Sequence, residues 1–395
     1  MTHTDRWLLP DAIEEVLPPL ATRIESLRRQ SLDYFAGWGY QLVMPPQAEF
    51  LESLLSGMGN DLDLLTCKVI DQLSGRLLGI SPDLTQQVAR MDARSMGTTG
   101  VARYCYCAPV LHARPASLLN SRNPLQLGAE LYGSDQVAAD SEIISLMVGL
   151  AQTLGLTDLT LDVGHVGLYH ALVGELQLSD EHRAELFALM RQRALPELNQ
   201  WLEQHISDVF YRSLLSALPS WSGDVELLSL LESKLQGTPL AAPLQDLSQL
   251  LTELQQDLPG VTVHVDLAEL RDYNYHTGLV FSLFQRGHGQ AIAKGGRYDD
   301  TGAAYGRARA ATGFSADLKM LAKLLPSEPV EPARRIYVPA LQDQDLRAAV
   351  RQLRSEGEVL VQGLSAATMS EDAASCSHEL VQRSGRWHVV PRTYE

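Results

Sequence analysis

The chain reads as an α+β protein built on an antiparallel sheet flanked by helices. Three observations predict this class. Strand-like runs come in adjacent pairs across short turns, at residues 65–71 and 76–80 and again at 278–285 and 290–293, which is how antiparallel hairpins read. Helices fall between groups of strands and do not alternate with each one, which disfavours a doubly wound parallel sheet. From 165 to 259 the pattern changes to successive helical segments, as expected of a helical insertion in a sheet domain.

Pro18-Pro19 opens a helix that runs to about Gly37: Leu20, Ile24, Leu27, Ser31, Tyr34 and Phe35 recur at roughly helical spacing, and Gly37 and Gly39 end it. Residues 40–44 read as a short strand stopped by Pro45-Pro46, and Ser74-Gly75 turns the hairpin that follows. A helix at 84–96 precedes strands at 101–109 and 125–133. An amphipathic helix at 139–154 leads into a strand at 159–163. Within the insertion, 181–193, 195–205 and 227–235 carry helical patterns. Strands return at 261–265, 278–285 and 290–293, the last two joined by Gly287-His288-Gly289, and a helix runs from Thr312 to about Leu325.

Residues 326–332 hold three prolines and two glutamates and read as a linker. Beyond it, 333–395 provides a strand at 336–339, a helix at 343–355, a strand at 358–362 and a polar remainder, enough for a small α/β appendage. The expected organisation is therefore a sheet domain over 1–325, with the insertion at 165–259 inside it, a linker, and the appendage.

Composition narrows the function classes. The net charge of −16 and the lack of any Lys/Arg run oppose binding to a phosphate backbone, so no nucleic-acid partner is expected. No apolar run reaches eighteen residues and the N-terminus lacks a signal-peptide stretch, so neither a membrane partner nor export is expected and the predicted location is cytoplasmic. Cys67, Cys105, Cys107 and Cys376 are spaced neither as a disulfide framework nor as a paired zinc site, and Cys105 and Cys107 should share one face of a strand as packing thiols. No metal ligand set and no cofactor are read from the sequence. The insertion carries 5 basic and 13 acidic residues, half of the chain's net charge, and reads either as a solvated lobe or as an electrostatic docking surface.

Candidate functional residues lie in separated segments. Residues 270–278 and 294–299 combine Arg271, Tyr275, His276 and Tyr298, groups suited to a carboxylate and a small polar ring, for which free histidine is a fitting guest. In 123–133, Gln126, Gly128 and Glu130 alternate along a strand and so share a face, making a polar floor with room above it. Asp83 and Thr85 open the helix at 84; on pattern alone Asp83 reads first as a helix cap, and otherwise as a second carboxylate beside the floor.

The order of Pro10-Asp11-Ala12-Ile13, Trp38-Gly39-Tyr40, Gln126-Leu127-Gly128-Ala129-Glu130, the segment 271–278 and Gly295-Gly296-Arg297-Tyr298-Asp299 resembles the histidyl-tRNA synthetase catalytic domain over about residues 8–325. The resemblance implies a class II aminoacyl-tRNA synthetase-like antiparallel sheet of six strands and dimerisation through the first motif. It implies a histidine site formed by Asp83, Thr85, Gln126, Glu130, Arg271 and Tyr275, with His276 and Tyr298 beside them.

Departures from that pattern shape the functional expectation. Adenylate chemistry needs fixed cations for ATP phosphates. The third-motif arginine falls on Met320, and in the second motif Arg114 substitutes only if its loop is displaced by a residue or two. The tail from Ser327 holds 8 basic and 10 acidic residues and is too short for the anticodon-reading domain. The resemblance then narrows to the regulatory subunits of ATP phosphoribosyltransferase. These are non-catalytic synthetase-like chains that activate a short-form catalytic subunit in the first step of histidine biosynthesis and mediate feedback inhibition by histidine, the small-molecule effector. A divergent histidine-charging ligase and a histidine-binding protein with another client share the pocket and remain the alternatives.

Overall fold

The computed structural model describes residues 7–56, 60–115, 117, 120–270, 276–326, 334–341, 343–365 and 373–392. Helix α1 (Leu20–Gly37) buries Ile24, Leu27, Ser31 and Phe35, one stripe of its surface, and the chain reverses where Gly39 adopts φ +83°. Strand β1 (Gln41–Leu42) is shorter than the expected 40–44, because the proline pair bends the chain away after Val43 has donated to the Cys105 carbonyl at 2.9 Å. Strand β2 (Ala48–Phe50) and the short helices α2 (Leu51–Leu54) and α3 (Asn60–Leu65) lead to the hairpin of β3 (Cys67–Ile70) and β4 (Leu77–Ile80), which turns at Gly75 with φ +72°. These strands form a separate sheet in the order β2-β4-β3.

Helix α4 (Leu84–Met91) widens into a π-helical turn at Asp92–Met96 where a uniform helix is expected over 84–96. Asp92 there accepts both carboxylate contacts from Arg309 Nη1, at 2.7 and 2.9 Å, and almost none of either side chain is exposed. Next come β5 (Ala102–Pro109), β6 (Leu125–Tyr132), α5 (Val137–Thr153) and β7 (Leu159–His165). The helices α6 (Gly167–Gly174), α7 (Asp180–Gln192), α8 (Leu195–His205), α9 (Val209–Ala217), α10 (Val225–Lys234) and α11 (Ala241–Asp257) follow, with a two-residue strand β8 (Ser222–Gly223) before α10. That strand departs from an all-helical insertion: it docks antiparallel on the sheet's outer strand, β9 (Thr262–Asp266).

The sheet is completed by β10 (Leu279–Gln285), β11 (Ala291–Arg297) and β12 (Ala311–Asp317), and α12 (Leu318–Leu324) follows. Its order is β1-β5-β6-β12-β11-β10-β7-β9-β8. The six strands from β5 to β7 in this order are mutually antiparallel, whereas β1 and β9 attach in parallel at the two sides, so the nine-stranded sheet is mixed. β12 corrects the expected helix from Thr312. Its Ala-Thr-Gly-Phe-Ser-Ala-Asp stretch has no strong β signature, yet it lies between β6 and β11 and satisfies its backbone through both neighbours.

Leu127, Ala129 and Leu131 of β6 pack into one core with Ile143, Ile144 and Met147 of α5, which leaves Gln126, Gly128 and Glu130 on the opposite face. All four cysteines are free thiols; burial pushes Cys105 and Cys107, alternate residues of β5, up to about 12. No helix among the described residues is long and apolar enough to cross a membrane.

The chain divides into two compact units, Met1–Leu325 and Pro326–Glu395. The second contains β13 (Arg335–Val338), α13 (Gln344–Ser355), β14 (Val359–Gln362), β15 (His378–Arg383) and β16 (Arg386–Pro391) in a sheet ordered β14-β13-β15-β16. Asp343 caps α13 by accepting from the Leu346 amide at 2.8 Å. The expected polar remainder thus includes a hairpin, reversed by Ser384 and Gly385 at φ +50° and +78°, the two positive dihedrals that a tight two-residue turn requires.

Candidate functional site

Strand pairing brings the site together. Tyr106 of β5 lies opposite Gly128 of β6, and Glu130 of β6 lies opposite Gly313 of β12. Each glycine makes room: a Cβ at Gly128 would collide with the Tyr106 hydroxyl, and one at Gly313 would collide with the Glu130 carboxylate. The Glu130 side chain therefore lies flat over the sheet and is completely buried.

Its partners are neutral. Tyr106 donates to Glu130 Oε1 at 2.9 Å, Tyr298 donates to Oε2, and the Tyr106 oxygen also meets Thr85 Oγ1 at 3.1 Å. Burial pushes the Glu130 carboxyl well above the usual carboxylate range; the Asp83 charge acts in the same direction, and the hydrogen bonds from Tyr106 and Thr85 oppose it. Burial raises the Tyr106 phenol as well, so the pair is a neutral donor facing a carboxyl whose charged form is costly. A guest that brings a positive charge or an additional N–H donor would relieve that cost.

The rim is polar and partly open. Asp83 accepts from the Thr85 amide at 3.0 Å, capping α4, and from Gln126 Nε2 at 2.7 Å. Gln126 Oε1 in turn accepts from the Leu84 amide at 2.9 Å. Asp83 thus caps α4 and bonds the floor residue Gln126 in one geometry, because the start of α4 sits beside the start of β6. Asp83, Thr85, Gln126, Glu130 and Tyr298 converge on this network. His276 approaches the same sheet face by another route, its ring lying over Gly296, which pairs with Gly313 and so adjoins the glycine beneath Glu130. Arg271 and Tyr275 lie outside the described residues.

Sequence reasoning missed Tyr106. The available sign was its alternation with Tyr104 in a strand next to a glycine-bearing partner, but only the register shows which tyrosine faces Gly128. The neighbouring Arg297 has a different role. It emerges on the α5 side of the sheet, donating through Nε and Nη2 to Asp140 Oδ2 at 3.0 and 2.7 Å and through Nη1 to Asp299 Oδ1 at 3.2 Å. Asp299 accepts from Thr277 Oγ1 at 3.2 Å and from the Ala311 amide at 2.9 Å, so Arg297 and Asp299 brace the turn that presents Tyr298.

Around α12 the side chains are committed elsewhere. Met320 packs against the main apolar core. Lys319 donates to the Asn123 carbonyl at 2.6 Å and lies 3.8 Å from Glu14; burial lowers its pKa. Arg114 is exposed.

Residues 12–321 match the histidyl-tRNA synthetase family model, and residues 333–390 match the model described as the ATP phosphoribosyltransferase subunit HisZ C-terminal domain. Among solved structures, an ATP phosphoribosyltransferase regulatory subunit/histidyl-tRNA synthetase from Bacillus halodurans C superposes with a TM-score of 0.80 at 23% identity, covering 93% of this chain and 96% of that one. A histidyl-tRNA synthetase from Nostoc sp. PCC 7120 gives 0.76 at 16% identity, covering 98% and 97%. These likenesses establish a class II synthetase-like fold. Two curated relatives, each an ATP phosphoribosyltransferase regulatory subunit, are similar from end to end: that of Pseudomonas entomophila (strain L48) is 46% identical with 100% of both chains covered, and that of Pseudomonas syringae pv. syringae (strain B728a) is 47% identical with 99% of both covered. A synthetase-like sheet followed by the HisZ-type C-terminal segment, matched over its whole length, means that this chain belongs to the ATP phosphoribosyltransferase regulatory subunit family.

Proposed function

We propose that this chain, as a regulatory subunit of ATP phosphoribosyltransferase, joins a short-form catalytic subunit in the first step of histidine biosynthesis, raises its activity, and mediates feedback inhibition by binding histidine over the Glu130 floor. It performs no chemistry itself and works in the cytoplasm. The observation that carries this reading is the combination of an intact polar floor with Met320 and a committed Lys319 at the position where the synthetase pattern supplies a cation to ATP. Losing one preorganised charge partner typically costs about 3–4 kcal/mol of transition-state stabilisation, so an adenylate pathway has little support here.

In the proposed complex the imidazole of histidine lies between Glu130 and the tyrosines, its ring N–H adding the donor that the buried carboxyl lacks. The ammonium group faces Asp83, Thr85 and Gln126 at the rim, Arg271 takes the carboxylate, and Tyr275 stands beside the ring. Binding energy at this floor couples to the partner's catalytic site through an allosteric free energy of about 1–3 kcal/mol, the usual scale for such linkage. Self-association as a dimer belongs to the same reading. The outer edge of the sheet at β1 exposes Leu42 and Met44, a short apolar edge that a second copy would cover.

Co-purification with a short-form catalytic subunit, followed by rate measurements with and without histidine, tests the proposal. A complex with increased basal rate and histidine-dependent inhibition is expected; absence of both complex and rate change would overturn it. Histidine-dependent exchange of pyrophosphate into ATP by the isolated chain would identify a ligase instead.

A further inference from the structure

Two histidines 23 positions apart in sequence meet on the helical insertion. His182 stands in the first turn of α7 and His205 is the last residue of α8, with ring centroids 4.7 Å apart and planes at 63°. They line an open groove of about 550 Å3 together with Glu181, Glu185, Ala188, Leu189 and Trp201, and this groove shares no residue with the Glu130 site. We propose that the groove is a binding site for a borderline transition-metal ion such as Zn2+, held by His182, His205 and a glutamate of α7.

The tautomer of His205 is set by its partner. Its Nδ1 lies 2.8 Å from the Trp201 carbonyl, which can only accept, so Nδ1 carries the proton and the lone pair of the neutral ring is on Nε2. An imidazole that donates one nitrogen to a backbone carbonyl and presents the other is oriented as metal-ligating histidines are. The same ring stacks on Trp201 at 4.3 Å and 18°, which fixes its plane. His182 packs edge-on against both rings, 5.9 Å from Trp201.

A carboxylate is pre-oriented beside them. Glu185 lies one turn along α7 from His182, and its Oε2 accepts from Trp201 Nε1 at 2.8 Å, leaving Oε1 available. Glu181 precedes His182 on the rim. Two imidazoles and a carboxylate suit Zn2+, Ni2+ or Cu2+, whereas Mg2+ and Ca2+ prefer all-oxygen sets. Zinc takes imidazole nitrogens at about 2.0–2.1 Å; with His205 held on Trp201, the His182 and glutamate side chains of α7 would rotate to meet an ion on its Nε2. The surrounding insertion, with 5 basic and 13 acidic residues, favours a cation electrostatically. The ion would tie the start of α7 to the end of α8.

The test is equilibrium dialysis of the full chain against zinc chloride, with bound metal quantified, for the wild type, His182→Gln, His205→Gln and the double variant. One bound ion per wild-type chain is expected, weakened by more than about 10-fold in each single variant, since loss of even an outer-shell partner costs that much. Equal zinc in the wild type and the double variant would overturn the proposal. So would loss confined to Asp162→Asn, which would move the ion to the carboxylates of Asp162, Asp266 and Glu269. An independent readout uses Cu2+, which should quench the tryptophan stacked on His205: quenching that disappears in Trp201→Phe supports the site, and quenching unchanged by that substitution refutes it. None of these readouts requires the catalytic partner, so the result stands apart from the proposed regulatory role.

Discussion

Glu130 and Asp140 are both buried carboxylates in contact with the central sheet, one on each face, yet their partners differ in kind. Asp140 faces the guanidinium of Arg297, itself bound to the carbonyls of Ser134 and Gln136, so charge meets charge. Glu130 has only neutral hydroxyls. For both, burial raises the pKa, but at Asp140 the arginine opposes that rise, whereas at Glu130 the nearby Asp83 adds to it. The first arrangement is a clamp that holds α5 to β11. The second is a satisfied but charge-poor cluster, the condition in which a cationic or N–H-bearing guest gains most.

The comparison is broken most severely at the clamp. Arg297→Ala leaves Asp140 buried without its cation and should cost about 3–5 kcal/mol of stability by chemical denaturation. If the loss were no more than that of a surface substitution, Arg297 would not be a clamp. Glu130→Ala should act on the other face. It removes the acceptor of Tyr106 and Tyr298 and is expected to weaken histidine binding by about 1–3 kcal/mol in calorimetry while the complex with the catalytic subunit persists. Unchanged affinity would place the effector elsewhere.

A pH series sharpens the distinction. The Glu130 pKa is raised in the folded state above the ordinary 4.5, so folding retains a proton that the unfolded chain loses. That contribution is fully present below the unfolded pKa and is lost as pH rises toward the folded one. Relative to Glu130→Gln, which cannot ionise, the wild type should therefore lose stability from about pH 5 upward, and parallel curves for the two proteins would mean that the carboxyl titrates normally. The smallest effect belongs to Glu25. Hydrogen bonds from Arg28 and Arg29 hold it down to about 2, yet it lies on the exposed face of α1, where water screens the pair. Glu25→Gln should leave the denaturation midpoint unchanged.

Much of the sheet was legible from local pattern. Alternation in 125–133 correctly put Gln126, Gly128 and Glu130 on one face, and glycine turns marked the hairpins at Gly75 and Gly287. Failures occurred where tertiary partners override propensity. The stretch after Thr312 has small residues that suit a helix as well as a strand, and only its position between β6 and β11 makes it β12. The hairpin of β15 and β16 was hidden in polar composition, since a small sheet half-exposed to water needs few apolar residues. Tyr106 could not be found because Tyr104 and Tyr106 share one face of β5, and only the pairing register, which a two-residue shift would change, decides which of them stands over Gly128.

By itself, the amino-acid order determined the class of fold, the family and the shared face of Gln126, Gly128 and Glu130, because periodicity, turn chemistry and residue identity are local properties. Only the folded chain decided that Glu130 is shielded by Tyr106, that Arg297 serves Asp140 and not a ligand, and that His182 meets His205. Each of these depends on groups far apart in sequence being brought within hydrogen-bonding or ring-contact distance, and no local pattern encodes that distance.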